Sequence, residues 1–303
     1  MESVEDLISS AKRGNRRSIG RLITIIENRS TGYEDILRFL NSKFNKAYVL
    51  GITGPPGVGK SSLISRLVEN FQSKEKLAVI MIDATSPFSG GSLLGNRLRL
   101  SDGENIYVRS MATRGISGGL NLAIGDTLDL LSFLGFSMII VESVGAGQDE
   151  TDIVYFTDTV VLVLSPGTGD QVQAMKAGQM EIGDIIVLNK ADRPDVIVSE
   201  KELMEILSIP DMAKNHKLFK VSSLTGSGIK DLVAAIEEEK NSGLKSSSEL
   251  KEREKEKLKQ EILARINLKE YLIERFADKV VKGEIKEREA LSLILKELEM
   301  KKE

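Results

Sequence analysis

Apolar segments alternate with amphipathic segments through the middle of the chain, and this alternation predicts an α/β fold. Seven short segments rich in apolar residues are predicted strands: 47–53, 77–83, 105–109, 137–142, 158–165, 184–189 and 217–222. Several of them contain continuous apolar runs, which are typical of strands buried on both faces. Apolar residues at helical spacing separate most of the strands. The pattern therefore predicts a mainly parallel sheet with helices on both faces, where ligands bind beyond the carboxyl ends of the strands.

The two ends of the chain have helical patterns without strands. Three groups of apolar residues recur at helical spacing between residue 3 and about residue 40, which predicts a helical cap before the first strand. A charged run at 249–257 precedes a second region of helical spacing. We therefore predict three parts: an N-terminal helical segment at 1–45, a central domain at 46–240 and a C-terminal helical arm at 241–303. The apolar stripes of the arm could pack against the central domain, a second copy of the chain or another protein, and dimerisation is the leading hypothesis.

Composition excludes several classes of function. The 303 residues carry a formal net charge of −3, which gives no global basic field for nucleic acid. Cysteine is absent and His216 is the single histidine, so disulfides and typical zinc, nickel or copper sites are excluded. His216 lies in a polar stretch and is predicted to be at the surface. No apolar run approaches the ~20 residues of a membrane span, and the acidic N-terminus lacks an export signal, so we expect a cytoplasmic protein.

The stretch from Gly54 to Ser61 fits the phosphate-binding loop pattern G-x-x-x-x-G-K-[ST] at every position. It follows a predicted strand and precedes a predicted helix, which is the context that the pattern requires. The glycines let backbone N–H groups turn toward an anion, and the helix start adds its positive dipole end. Lys60 supplies a charge for the outer phosphates, and Ser61 offers a hydroxyl to Mg²⁺. The residues expected to contact the phosphates are Gly54, Gly57, Val58, Gly59, Lys60, Ser61 and Ser62.

Two acidic residues end predicted strands near this loop. Asp83 ends the strand at 77–83 and Glu142 ends the strand at 137–142. Because Mg²⁺ takes oxygen ligands and keeps several waters, both carboxylates are candidates for metal binding and water positioning. We predict Ser61, Asp83 and Glu142 as metal-site residues, and Lys60, Asp83 and Glu142 as the catalytic group. A backbone N–H near Gly145, in the glycine-rich segment that follows, is predicted to sense the γ-phosphate.

A second motif predicts that the ligand of the phosphate loop is a guanine nucleotide. Residues 189–192 read Asn-Lys-Ala-Asp and match the N-K-x-D pattern. The Asp192 carboxylate can accept both the N1–H and N2–H₂ donors of guanine, whereas adenine offers an acceptor at N1. Asn189 can bond the other edge of the base or brace a neighbouring loop, and the Lys190 stem can lie over the ring. A backbone N–H for the guanine O6 is expected in the segment Ser222, Ser223 and Leu224.

With these motifs assembled, the chain resembles the MeaB/ArgK family of P-loop GTPases, the methylmalonyl-CoA mutase-associated GTPases of the SIMIBI class. Glu142, where aspartate is more usual, is itself a mark of this group. The resemblance extends over about residues 16 to 235 and is weaker in the C-terminal arm. Beyond the generic motifs, it rests on these stretches: Ser86 to Gly95, Arg109 to Gly115, Val141 to Gln148 and Lys176 to Asp184.

The resemblance implies a P-loop NTPase sheet that binds GTP/GDP and Mg²⁺. It also implies a homodimer that chaperones an adenosylcobalamin-dependent methylmalonyl-CoA mutase, gating cofactor loading and protecting the enzyme. Segments 116–120 and about 169–177 would be its switches. Separately from the resemblance, the place of Arg114 in a glycine-flanked loop makes it a candidate transition-state charge, supplied in cis or across a dimer. Two positions depart from the family: Asn96 stands where an aspartate is common and Ile116 where a histidine is common. The first removes a carboxylate from the metal region, and the second leaves no histidine role to carry over.

Two other functions remain open at this point. The first is a kinase linked to arginine and ornithine transport, which the family's older label suggests. A kinase needs an acceptor pocket and a base near the γ-phosphate, and neither can be identified separately from the switch acids. The second is a metallochaperone GTPase of the same broad class, against which the lack of cysteine and of histidine clusters argues.

Overall fold

The computed structural model divides the chain into two compact units, Met1–Arg253 and Glu254–Glu303. The residues that the structure describes are 2–83, 105–112, 123–144, 153–167, 182–208, 216–242, 251, 255, 258, 270–282, 284–286, 288–290 and 292–294. Our division into three parts at 45 and 240 stays a prediction. Within the described residues, no helix has the length and apolar character needed to cross a membrane.

A seven-stranded sheet forms the centre of the first unit, and all of its strand pairs are parallel. The strands are β1 Tyr48–Thr53, β2 Leu77–Asp83, β3 Ile106–Ala112, β4 Met138–Glu142, β5 Thr159–Leu164, β6 Ile185–Leu188 and β7 Lys217–Lys220. They lie in the order β3-β2-β4-β1-β5-β6-β7. All seven predicted strands are therefore confirmed, each within a few residues of its predicted bounds. In β2 and β5 every residue is buried, as the continuous apolar runs predicted.

The helices of the described part of the chain lie before, between and after these strands. They are α1 Val4–Lys12, α2 Arg16–Asn28, α3 Tyr33–Leu40, α4 Lys60–Phe71, α5 Ile124–Phe133, α6 Val196–Leu207, α7 Ile229–Ser242 and α8 Glu270–Val281. Side-chain caps fix the first two helix starts. The Ser3 hydroxyl accepts from the Asp6 backbone N–H in a capping box, and Asn15 accepts from two N–H groups of α2.

Helices cover both faces of the sheet. Residues of α1, α2, α3 and α5 share one apolar core with alternate residues of β1, β2 and β4. On the other face, α4 and α7 pack against the intervening residues of the same strands and of β5. Helix α6 packs with its buried residues Leu203 and Ile206 on β5 and β6. The predicted helical cap is thus confirmed as part of the sheet's own core.

Two arginines fasten this cap to the edge strand β3. Arg16 donates to the carbonyl oxygen of Ile106 at 2.8 Å. Arg109, which lies on β3, pairs with the buried Glu27 carboxylate of α2 and donates to the Gly20 carbonyl oxygen at 3.2 Å. The edge strand is therefore held by polar contacts as well as by the apolar core.

His216, which was predicted to be at the surface, is partly exposed and partly covered. Its side chain is half-buried, and its Nδ1 atom lies 2.8 Å from the Gly183 carbonyl oxygen. The polar neighbours in the sequence suggested an exposed residue, but the start of β7 at Lys217 places the ring against the loop before β6.

The second unit contains α8. Phe276 of this helix is buried, and the guanidinium of Arg275 and the ammonium of Lys279 lie over its ring. Val281, near the helix end, is exposed. Among the described residues of the C-terminal arm, α8 is helical as predicted, while the role of the arm in dimerisation stays a prediction.

Candidate nucleotide-binding site

The sheet brings the predicted motifs to its carboxyl edge. The phosphate loop follows β1, Asp83 and Glu142 end β2 and β4, and the segments 189–192 and 222–224 follow β6 and β7. Glu142 pairs in register with Ile52 of β1 and Met81 of β2. These segments are far apart in the sequence, but the parallel strand order gathers them at the edge where α/β proteins bind ligands.

Close packing explains two glycines of the phosphate loop. Gly54 has φ +137°, and a Cβ there would lie 2.1 Å from the Val163 carbonyl oxygen of β5. Gly59 has φ +98°, and a Cβ there would lie 2.5 Å from Asn189 Nδ2. Both positions need a left-handed backbone and have no room for a side chain, so glycine is required.

Lys60 lies inside the curve of the phosphate loop. Its Nζ atom donates to the carbonyl oxygens of Gly54 at 2.6 Å and Pro55 at 3.3 Å. Helix α4 begins at Lys60, and its N-cap, Gly59, provides no side-chain acceptor for the first turn. Backbone N–H groups at such a helix start, together with the helix dipole, favour a phosphate.

Ser61 and Glu142 are joined directly. The Ser61 hydroxyl donates to Glu142 Oε1 at 2.8 Å. The pKa of Glu142 is raised, chiefly by burial and also by the charge of Asp83. The hydrogen bond from Ser61 and the charge of Lys60 oppose this rise but do not cancel it. Asp83 is also buried, at the end of β2. The site thus concentrates two carboxyl groups and a hydroxyl beside one lysine.

This donor set is suited to Mg²⁺ because all of its atoms are oxygens. Among the described residues, no group of three or more histidine, cysteine, aspartate or glutamate side chains could hold a metal. A site with one or two carboxylates suits Mg²⁺, which keeps waters and takes phosphate oxygens as further ligands. A buried hydroxyl pair, Thr53 Oγ1 and Ser143 Oγ at 2.9 Å, links the ends of β1 and β4 beside it. Sequence patterns did not single out this pair.

Asn189, the first residue of the N-K-x-D segment, joins the segment 222–224, which is expected to contact the base, to the phosphate loop. Its side chain is 1% exposed, and its Nδ2 donates to the Val58 carbonyl oxygen at 2.9 Å. Its Oδ1 accepts from the Ser223 backbone N–H at 3.1 Å and from the Ser223 hydroxyl at 2.9 Å. Of the two roles considered for Asn189, these contacts favour the brace over direct contact with the base.

Lys190 and Asp192 are placed by their own contacts. Lys190 has φ +58°, and its Nζ donates to the Gly57 carbonyl oxygen at 2.7 Å. The Ser222 hydroxyl donates to Asp192 Oδ1, and this hydrogen bond lowers the pKa of Asp192. Asp192 is exposed at the edge of the sheet. The carboxylate is therefore oriented by Ser222 and kept ionised, as acceptance of two N–H donors requires.

The structure adds Arg66 of α4 to the candidate site. Its guanidinium reaches the backbone of the segment 222–224, which is 157 and 158 residues away in the sequence. An amphipathic helix usually exposes such an arginine, and no short motif marks it, so sequence patterns gave no signal for this contact.

Several predicted features lie outside the described residues. They are Gly145, Arg114, the switch segments 116–120 and 169–177, and the departures at Asn96 and Ile116. Their predicted roles stay predictions.

Comparison with known proteins places these motifs in a family. The family model described as "Methylmalonyl Co-A mutase-associated GTPase MeaB" matches residues 19–280. A Pyrococcus horikoshii protein named as a GTPase is 40% identical over 272 residues, covering 86% of this chain and 85% of its own length. A Caenorhabditis elegans protein named "Methylmalonic aciduria type A homolog, mitochondrial" is 35% identical over 209 residues, covering 63% of this chain and 52% of its own.

A solved structure supports the fold. A protein described as LAO/AO transport system kinase superposes with a TM-score of 0.65 at 20% identity, over 98% of this chain and 97% of that one. At this identity the likeness shows the architecture alone. The family match covers most of the chain and includes the phosphate loop, both acidic strand ends and the N-K-x-D segment. The chain therefore belongs to the methylmalonyl-CoA mutase-associated GTPase family and is a GTP hydrolase.

Proposed function

We propose that this GTPase hydrolyses Mg²⁺-bound GTP to control an adenosylcobalamin-dependent methylmalonyl-CoA mutase, whose cofactor loading and protection it assists. The description of the family names an association with that mutase. Relatives from Caenorhabditis elegans and Mus musculus are named after methylmalonic aciduria type A. The proposal includes a homodimer formed through the C-terminal arm.

One observation carries the nucleotide part of the proposal: Asn189 bonds the phosphate loop and the base-recognition loop at the same time. A ligand that fills both loops needs phosphates at one end and a base at the other. At the base end, the Asp192 carboxylate can accept hydrogen bonds from two adjacent N–H donors, which guanine has and adenine lacks.

At the phosphate end, the residues have separable roles. The phosphate loop and Lys60 hold and neutralise the β- and γ-phosphates, after the Lys60 ammonium leaves the carbonyl oxygens of Gly54 and Pro55. Ser61, Asp83 and Glu142 are the residues that would hold Mg²⁺, and the Ser61 hydroxyl donates to only one of the two carboxylate oxygens of Glu142, Oε1. Bound Mg²⁺ supplies charge neutralisation for the transferred phosphoryl group. An ionised carboxylate among them accepts a hydrogen bond from the attacking water and orients it.

The first experiment tests the base. GDP and ADP are titrated calorimetrically into the protein with Mg²⁺, with Asp192→Asn as a matched variant. We expect GDP to bind and ADP to give no detectable heat, and we expect Asp192→Asn to lose the preference. Equal binding of GDP and ADP by the unchanged protein would contradict the guanine assignment and bring the kinase alternative forward.

The second experiment tests the partner. GTP hydrolysis is measured alone and with an adenosylcobalamin-dependent methylmalonyl-CoA mutase. We expect the mutase to change the rate of phosphate release and GTP to change the loading of its cofactor. An unchanged rate with unchanged loading would contradict the mutase role but leave the GTPase assignment intact. Transfer of the γ-phosphate to an amino acid or a protein instead of water would favour a kinase.

The third experiment tests the assembly. The mass of the full chain is measured by light scattering with and without GDP. A mass of two copies is expected, and a single copy under both conditions would contradict the homodimer.

A further inference from the structure

Arg66 anchors the loop that is expected to recognise the base. Its Nε donates to the Ser223 carbonyl oxygen at 2.9 Å and its Nη2 donates to the Leu224 carbonyl oxygen at 2.9 Å. The third nitrogen, Nη1, donates to Glu69 Oε2 at 3.1 Å on the same helix. We propose that Arg66 is a positioning residue for guanine recognition, an inference that rests on the proposed binding of GTP and GDP.

The two carbonyl contacts fix the direction of the neighbouring N–H groups. In a trans peptide unit the C=O and N–H bonds point in opposite directions. With the Ser223 carbonyl held toward α4, the Leu224 N–H of the same peptide unit points away from α4. That N–H belongs to the segment in which a donor to the guanine O6 is expected. Arg66 therefore sets the orientation of a donor that it does not itself touch.

The same anchoring extends to the carboxylate that accepts from guanine. The Leu224 carbonyl shares its peptide unit with the Thr225 N–H, and that N–H donates to the Ser222 hydroxyl oxygen at 3.1 Å. The Ser222 hydroxyl in turn donates to Asp192 Oδ1. A displaced Leu224 carbonyl would thus turn the peptide that holds Ser222, and through it Asp192.

Apolar packing provides little alternative support for this loop. The Leu224 side chain is 78% exposed, so it does not anchor the backbone in the core. The salt bridge to Glu69 joins two partly exposed side chains and is worth little by itself. The carbonyl contacts are therefore the part of the Arg66 interaction that matters for the loop.

The position of Arg66 on α4 links the base loop to the phosphate loop. Helix α4 begins at Lys60, six residues before Arg66, which corresponds to about 9 Å along a helix. The helix that presents its N-terminus to the phosphates thus also positions the base loop. A lysine could not replace the arginine fully, because its single ammonium group lacks the fixed fork that spans two neighbouring carbonyl oxygens.

The test compares Arg66→Met, Arg66→Lys and the control Glu69→Gln. Glu69→Gln weakens the charged partner of the guanidinium but leaves both carbonyl contacts in place. Affinities are measured for GDP, for IDP (which retains O6 and N1–H but lacks the amino group), for ADP and for pyrophosphate. The KM and kcat of GTP hydrolysis are measured in parallel.

We expect Arg66→Met to weaken GDP and IDP binding about 10-fold or more, while pyrophosphate affinity and kcat change less than about twofold. Arg66→Lys should recover part of the loss, and Glu69→Gln should bind GDP as the unchanged protein does. The KM for GTP should rise in proportion to the loss of GDP affinity.

Two results would overturn the inference. One is an Arg66→Met protein with unchanged GDP affinity. The other is an equal loss of GDP and pyrophosphate affinity, which would indicate a general defect of the fold. Both results bear on Arg66 only when the wild-type protein itself prefers GDP to ADP. Absence of that preference would instead overturn the proposed guanine binding, and with it the role of Arg66.

Discussion

A single methyl group added at Gly54 tests the packing of the phosphate loop. The Gly54 backbone has φ +137°, and a Cβ would lie 2.1 Å from the Val163 carbonyl oxygen and 3.0 Å from its carbonyl carbon. These are backbone atoms of the buried central strand β5, which pairs with β1 and β6. They cannot rotate away as a flexible side chain would, so either the loop or the strand must shift.

The expected cost of Gly54→Ala has two parts. A strained backbone conformation costs about 1–3 kcal/mol, and overpacking costs about 1–3 kcal/mol. Together they predict a loss of about 2–6 kcal/mol in the free energy of unfolding. Because each kcal/mol lowers the midpoint by about 2–4 °C in domains of 150–250 residues, a decrease of at least about 4 °C is expected.

Gly57→Ala is the matched control within the same loop. Gly57 has φ +79°, but nothing lies within 4 Å of a Cβ at this position. Only the left-handed backbone is unfavourable, at about 1–2 kcal/mol. Thermal unfolding of the nucleotide-free proteins, followed by circular dichroism, compares the two variants. Equal midpoints, or a Gly54→Ala protein as stable as the unchanged one, would refute the packing argument.

Three further predictions concern other contacts. Asn189→Ala should lower the free energy of unfolding by about 2–4 kcal/mol, because it leaves buried hydrogen-bonding groups unpaired. The control Asn70→Ala removes one half-buried hydrogen bond on α4 and should cost under about 1 kcal/mol. Similar losses for the two variants in urea unfolding would contradict this prediction. Glu142→Gln should slow GTP turnover about 100-fold or more but leave Mg²⁺-free GDP affinity within about twofold, and normal turnover would remove Glu142 from the mechanism. Burial raises the pKa of Glu75, but hydrogen bonds from Lys240 and Ser137 outweigh it and hold the pKa below its ordinary 4.5. Because the pKa of Glu75 is lower in the folded than in the unfolded state, its interactions stabilise the protein above pH 4.5. Lys240→Met should therefore lower the free energy of unfolding by about 1–2 kcal/mol at pH 7, and this loss should shrink as the pH falls below 4.5. A loss that is independent of pH would refute this reasoning.

Apolar patterns were sufficient to find the strands but not their order. Segments such as 159–164 are buried on both faces, and their composition shows this directly. The order β3-β2-β4-β1-β5-β6-β7 depends on which strands pair, and buried parallel strands of similar composition do not encode their neighbours in a local pattern. The same limit applied to His216, whose contact with the Gly183 carbonyl oxygen comes from another loop.

The motifs identified candidate site residues but not their contacts. Asp192 and Asn189 followed from one four-residue pattern, yet that pattern left two roles open for Asn189. Its bonds to Val58 and Ser223 come from segments on either side of it in the sheet edge, so the choice required the fold. Arg66 had no motif at all, because its partners are backbone carbonyls, which any sequence provides.

The strand order separates phosphate chemistry from base recognition. On one side of β1 lie β4 and β2, which carry Glu142 and Asp83. On the other side lie β6 and β7, which precede the segments expected to contact the base, 189–192 and 222–224. Substitution of the acidic residues should therefore change turnover without changing the choice of base, and substitution of Asp192 should do the reverse.

Contacts that cross between the two sides divide into two kinds. Asn189 and Lys190 bond carbonyl oxygens of the phosphate loop itself, at Val58 and Gly57. Arg66 instead reaches the base loop from the second turn of α4, beyond the phosphate loop. Loss of Asn189 should accordingly weaken pyrophosphate as well as GDP, whereas loss of Arg66 should weaken GDP alone. The ratio of these two affinities thus distinguishes a contact that shapes the whole nucleotide site from one that only positions the base.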